Sequence, residues 1–157
     1  MYVFLNIIFV VLLFAVSVND IRKMEIPNGL NLAIFLLGIA KLIMMVALYD
    51  WKVCGAAALD GIVGLFVVSI SLAVVAVVTK GAIGGGDIKL VGACGFYLGI
   101  RTVLHGVILG FVFGGVYATV RLLMEKKTRR KQALKTCFAL GPFLCTGMVI
   151  AATLYGL

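Results

Sequence analysis

The chain has 157 residues, of which 64% are apolar and 13% charged, with a formal net charge of +8. That balance excludes an ordinary soluble domain, because several apolar runs are long enough to cross a hydrocarbon layer of ~30 Å. The cations do not point to nucleic acid, since they sit in the segments joining the apolar runs, where membrane orientation accounts for them.

The first run, Tyr2 to Val18, lacks a basic leader region and a small-residue cleavage site and meets charge at Asp20, Arg22 and Lys23. It reads as a retained span. A second span, Leu30 to Leu48, is opened by Pro27-Asn28, because proline lacks the amide hydrogen that a helix start leaves orphaned. Tyr49-Asp50-Trp51-Lys52 forms a short polar link with aromatics at interfacial depth. Residues 55–78 make a third span, in which Gly55, Gly61 and Gly64 allow close helix approach.

Gly84-Gly85-Gly86-Asp87 follows, and glycine costs about 1 kcal/mol per helical position, so the apolar structure is interrupted here. Irregular backbone at membrane depth survives where protein or a wet cavity satisfies its amides, so this turn is expected to line a polar crevice. Ile88 to Leu123 is too long for one crossing at ~1.5 Å per residue. Gly99, Arg101 and Thr102 offer the break, leaving a short fourth span that recesses Asp87 below the surface, and a fifth from Val103 to Leu123. The basic run Glu125 to Lys135 is a loop, and Thr136 to Tyr155 is a sixth span broken by Gly141-Pro142.

The expectation is therefore an all-α polytopic membrane protein, one domain over residues 1–157, with about six transmembrane helices. Loop cations set its orientation. One side collects Arg22, Lys23, Lys80, Lys89, Arg121, Lys126, Lys127, Arg129, Arg130, Lys131 and Lys135, against Lys52 and Arg101 on the other. The amino terminus is then outside, and Asp20 and Asp87 share the cytoplasmic face. Two carboxyl groups held close in a low-dielectric crevice cannot both ionise cheaply, so one serves as base and the other as acid. The plainer alternative is that Asp20 is a solvated loop residue and Asp87 caps the fourth span.

GGGDIKL resembles the GxGD motif of intramembrane aspartic proteases, in the form found in type IV prepilin peptidases. Asp20-Ile21-Arg22 with Ile26-Pro27-Asn28 is similar to the segment after the first span of that family. The resemblance covers the whole chain. It implies an aspartic endopeptidase that removes a short basic leader, ending in glycine, from a type IV prepilin or pilin-like precursor at the cytoplasmic face of a prokaryotic inner membrane. It further implies Asp20 and Asp87 as the catalytic pair, with Gly84, Gly85 and Gly86 shaping the approach, and Pro27, Asn28 and Lys89 beside the site. Lys89 either stabilises the ionised pair or reaches lipid headgroups. Glu25, the acidic residue of the first cytoplasmic loop, is a contact for the basic leader.

Longer members of that family carry a cytoplasmic segment with paired CxxC motifs that bind zinc, associated with methylating the new amino terminus. Only a short stretch separates Asp20 from the second span, and Cys54, Cys94, Cys137 and Cys145 lack metal-ligand spacing. The chain therefore resembles the short, peptidase-only branch found with tight-adherence pili, and neither metal nor cofactor is expected.

Lys41 and Asp60 fall at similar depth in a helical hairpin, where a buried ion pair is the cheapest arrangement. His105 reads as an interfacial or satisfied histidine. The alternative function is a small transporter or channel whose path runs through Asp20, Lys41, Asp60 and Asp87. Such a path needs charges spread through the bilayer depth.

Overall fold

The structure, a computed structural model, describes residues 2–49, 51–80, 83–124 and 140–156. Six helices are found there: α1 (Tyr2–Lys23), α2 (Asn28–Leu48), α3 (Trp51–Val78), α4 (Gly85–Leu98), α5 (Ile100–Met124) and α6 (Gly141–Leu154). Among the described residues there is no strand. Four helices, α1, α2, α3 and α5, are long and apolar enough to cross a membrane, while α4 and α6 have 14 residues each. The outward faces are apolar, as at Phe4, Phe14, Leu36, Phe66 and Val112, all exposed. With no polar stripe to meet water, such faces suit lipid.

Several boundaries depart from the sequence reading. α1 continues to Lys23, beyond Val18, so Asp20 lies in its last turns and is buried instead of solvated. The compensating partner is a backbone amide supplied by a remote segment, described below. α3 starts at Trp51, so Trp51 and Lys52 belong to a helix and not to a link. Gly85 and Gly86 are helical, with Gly84 as the cap residue, because a first turn tolerates glycine where its amides have no intrahelical partner in any case. α4 ends at Gly99, whose φ of 84° is a conformation that a Cβ opposes. Arg101 and Thr102 lie in the first turn of α5. Gly141-Pro142 opens α6, with the proline in its first turn, and the start of the expected sixth span at residues 136–139 lies outside the described residues. The basic run 125–135, residues 136–139 and Cys137 lie outside the described residues.

α4 is the central helix, with Leu90, Val91, Ala93, Cys94 and Tyr97 buried among its neighbours. Small residues bring those neighbours close. A Cβ on Gly64 of α3 or Gly95 of α4 would come within 2.6 Å of the other glycine's carbonyl oxygen, and one on Gly38 of α2 would strike the Phe96 ring at 2.6 Å. Gly61 likewise meets the Phe96 carbonyl, whereas Gly55 faces open space. In α5, Gly106 and Gly110 form a one-turn pair against which Gly147 of α6 packs. Without water to drive association inside a bilayer, contact of this closeness is what holds helices together. Phe9, Leu13 and Val16 of α1 and Leu144 and Met148 of α6 complete the core.

The expected Lys41–Asp60 ion pair is not formed. The Lys41 amine donates to the Tyr97 carbonyl at 3.0 Å and stands 4.6 Å from the centre of the Tyr97 ring, so it caps the carboxyl end of α4. The Asp60 carboxylate stands instead against Gly99 at the α4–α5 turn. A cation at a helix carboxyl end meets the negative end of the helix dipole, which makes a carboxylate partner unnecessary. His105 contacts the Arg101 carbonyl at 2.7 Å and the Tyr155 hydroxyl at 3.3 Å.

Candidate active site

Three chain segments converge at the start of α4. The first is the end of α1. The Met24 amide donates to the Asp20 carbonyl at 2.8 Å, and Met24 takes a φ of 52°, which turns the chain into the four-residue loop Met24–Pro27. The second is the glycine turn. The Asp87 amide donates to the Gly84 carbonyl at 3.1 Å, which closes the first turn of α4 and leaves the Asp87 carboxylate beside Gly84. The third is the start of α6, where the Gly141 amide donates to Asp20 Oδ2 at 2.9 Å in a buried bond.

Each carboxyl group therefore sits at the amino-terminal end of a short helix, Asp87 on α4 and Asp20 on α6. Those ends carry partial positive charge and unpaired amides, which favour a carboxylate beside them. Asp20 and Asp87 line one cavity of about 320 Å³, together with Met24, Glu25, Ile26, Asn28, Gly84, Gly85 and Gly86. The two groups are near enough for charge on Asp20 to be felt at Asp87. Asp87 Oδ1 is buried and has no hydrogen-bond partner among the described residues.

The glycines divide the work of shaping the wall. A Cβ on Gly86 would lie 3.1 Å from Ile26 Cβ, which is how α4 approaches the α1–α2 loop so closely. One on Gly84 would lie 3.2 Å from Asp87 Oδ2, and one on Gly85 would meet nothing. The Lys89 amine donates to Asn28 Oδ1 at 3.1 Å and so braces α4 against α2. Pro27 is the cap residue of α2 and does not line the cavity. Glu25 lines it and is exposed.

Two residues near the acids carried no weight in the sequence. Gly141 is the donor that holds Asp20, and a Gly-Pro pair after a basic run is the signal of a helix start that could have suggested it. Cys145 of α6 is buried and lies within electrostatic reach of both carboxyl groups. A second cavity, of about 350 Å³ between α1 and α6, is lined by apolar side chains with Asn6 and Thr153 and has no titratable group, so it offers no acid–base chemistry. Lys41 and Asp60 do not line the acid cavity.

Known proteins were compared with this arrangement. No solved structure matches the chain at a significant level. A prepilin leader peptidase/N-methyltransferase of Bacillus subtilis (strain 168) is 31% identical over 150 residues, which cover 96% of this chain and 55% of that protein. The chain thus spans about half the length of that relative. A model of the type IV leader peptidase family matches residues 7–119, a stretch that contains both Asp20 and Asp87 and all of the glycine turn. On that match over most of its length, the chain belongs to the type IV leader peptidase family.

Proposed function

We propose that the protein is a membrane aspartic endopeptidase that removes the basic leader of a type IV prepilin or pilin-like precursor at the cytoplasmic face of the inner membrane. The observation that carries this reading is that Asp20 and Asp87, 67 positions apart in the chain, line a single cavity. Family membership supports the substrate class, and the distribution of cations, with Arg22, Lys23, Lys80 and Lys89 near the cavity end of the helices, supports the face.

The pair holds one proton between two carboxyl groups, since adjacent like charges at low dielectric are costly. The ionised member takes a proton from a water, whose oxygen attacks the scissile carbonyl carbon. The protonated member gives its proton to the carbonyl oxygen. Collapse of the resulting diol breaks the carbon–nitrogen bond, a proton passes to the departing amine, and the pair returns to its starting state. Asp87 Oδ1 is buried with no hydrogen-bond partner among the described residues, and a water entering the crevice would supply one. Gly85, where even a Cβ would meet nothing, leaves room for an extended substrate backbone to approach.

Methylation of the new amino terminus is not part of this proposal. The loop between α1 and α2 is four residues long, too short for a zinc-binding insertion of paired CxxC motifs. Co-expression with a pilin precursor tests the reading. The wild-type chain is expected to convert the precursor to a smaller product, and Asp20→Asn or Asp87→Asn to reduce conversion by about 10²–10⁴-fold while the protein still accumulates in the membrane. Unchanged precursor size with the wild type would reject it.

A further inference from the structure

Met24 occupies a backbone position that suits another residue. Its φ of 52° lies in the left-handed region, at the helix end where glycine is the usual occupant, and a side chain there costs ~1 kcal/mol. The side chain that bears this cost is 60% exposed and lines the acid cavity. The other walls offer less apolar contact. Gly84, Gly85 and Gly86 have no side chains, Glu25 and Asn28 are polar, and Ile26 is half-buried by packing against Gly86 and the core. Met24 is thus the exposed apolar surface at the mouth of the site, fixed in direction by its own backbone.

Resting on the peptidase reading above, we propose that Met24 determines specificity by packing against an apolar substrate side chain beside the scissile bond. A thioether on an unbranched stem adapts to aliphatic and aromatic partners alike, so the contact selects apolar character without selecting one shape. Backbone strain held at a site, against local preference, is the kind of feature that function maintains.

The test uses the full chain in detergent micelles and precursors that keep the leader's terminal glycine and differ only in having leucine or serine at the position following the scissile bond. Wild-type protein is expected to favour leucine at that position. Met24→Gly and Met24→Asn both keep the left-handed turn accessible, and each should lower kcat/KM for that leucine precursor about tenfold, mainly through KM, as expected for the loss of about two methylene contacts. The serine precursor should be cleaved as before, and Met24→Gly should unfold at the same temperature as wild type or higher. Equal losses on both precursors would assign Met24 to structure or to lipid contact and overturn the proposal. So would wild-type rates in both variants, or no leucine preference in the wild type. Failure of the wild type to cleave any precursor would instead bring down the peptidase reading itself, and this inference with it.

Discussion

Asp20 and Gly141, 121 positions apart in the chain, are joined by a buried hydrogen bond of 2.9 Å. The bond fixes the end of α1 to the start of α6. A buried carboxylate near a bilayer is costly unless it accepts hydrogen bonds, so the amide at the head of α6 is what makes Asp20 tolerable there.

Gly141→Ala is therefore expected to damage the site without touching either acid. A Cβ at this position would come within 2.5 Å of Asp20 Oδ2, so the carboxylate must move or the bond must lengthen. Displacement of a catalytic group by ~1 Å costs on the order of 10²-fold in rate. The expected outcome is a fall in kcat of that order with the protein still folded in membranes, measured by precursor cleavage alongside thermal unfolding. Wild-type kcat would show that the Asp20–Gly141 bond plays no part in positioning.

Glu25 lines the cavity and is exposed, so it can meet a basic leader in water. Glu25→Lys should raise KM for a leader carrying several lysines, while kcat and the cleavage of a leader with neutral residues change little. An exposed contact of this kind is worth up to ~1 kcal/mol, or about fivefold in KM, with repulsion adding to it at low salt. Kinetics at two salt concentrations check both the effect and its screening.

Lys41 caps the carboxyl end of α4 through the Tyr97 carbonyl, far along the helix from Asp87. Lys41→Met should destabilise the protein by about 1 kcal/mol, the scale of a cation at a helix end. Precursor cleavage by the folded fraction should persist. Loss of cleavage at full stability would mean that this charge takes part in the chemistry.

Water activation by a carboxyl pair asks nothing of a metal ion or a thiol. Chelators should leave cleavage rates unchanged, and so should thiol reagents, since Cys54, Cys94 and Cys145 are buried. Rates followed before and after each treatment make the check, and strong inhibition by a chelator that zinc or magnesium reverses would overturn the carboxyl-pair mechanism.

Much of the fold was legible in the chain because a bilayer imposes one-dimensional rules. Apolar runs must be long, backbone amides must be paired within a helix, and cations collect in loops, so the helices of residues 2–23, 28–48 and 51–78 are written in composition. Glycine spacing likewise announced the close contact at Gly61 and Gly64, although not the Gly106, Gly110 and Gly147 contact between α5 and α6. Lys41 and Asp60 were misread because equal depth was taken for proximity, and depth says nothing about which faces of two helices meet.

The sequence by itself determined that the protein is helical and apolar, that an interrupted segment opens at Gly84, and that Asp20 and Asp87 stand at helix ends. Only the tertiary structure decided that both acids open onto one cavity, that Gly141 holds Asp20, that Lys89 braces Asn28, and that Met24 stands at the mouth. The reason is physical. Hydropathy and helix punctuation act along the chain within a few residues, whereas the rotation of each helix about its axis is set by packing against its neighbours, and that rotation chooses which side chains share a space.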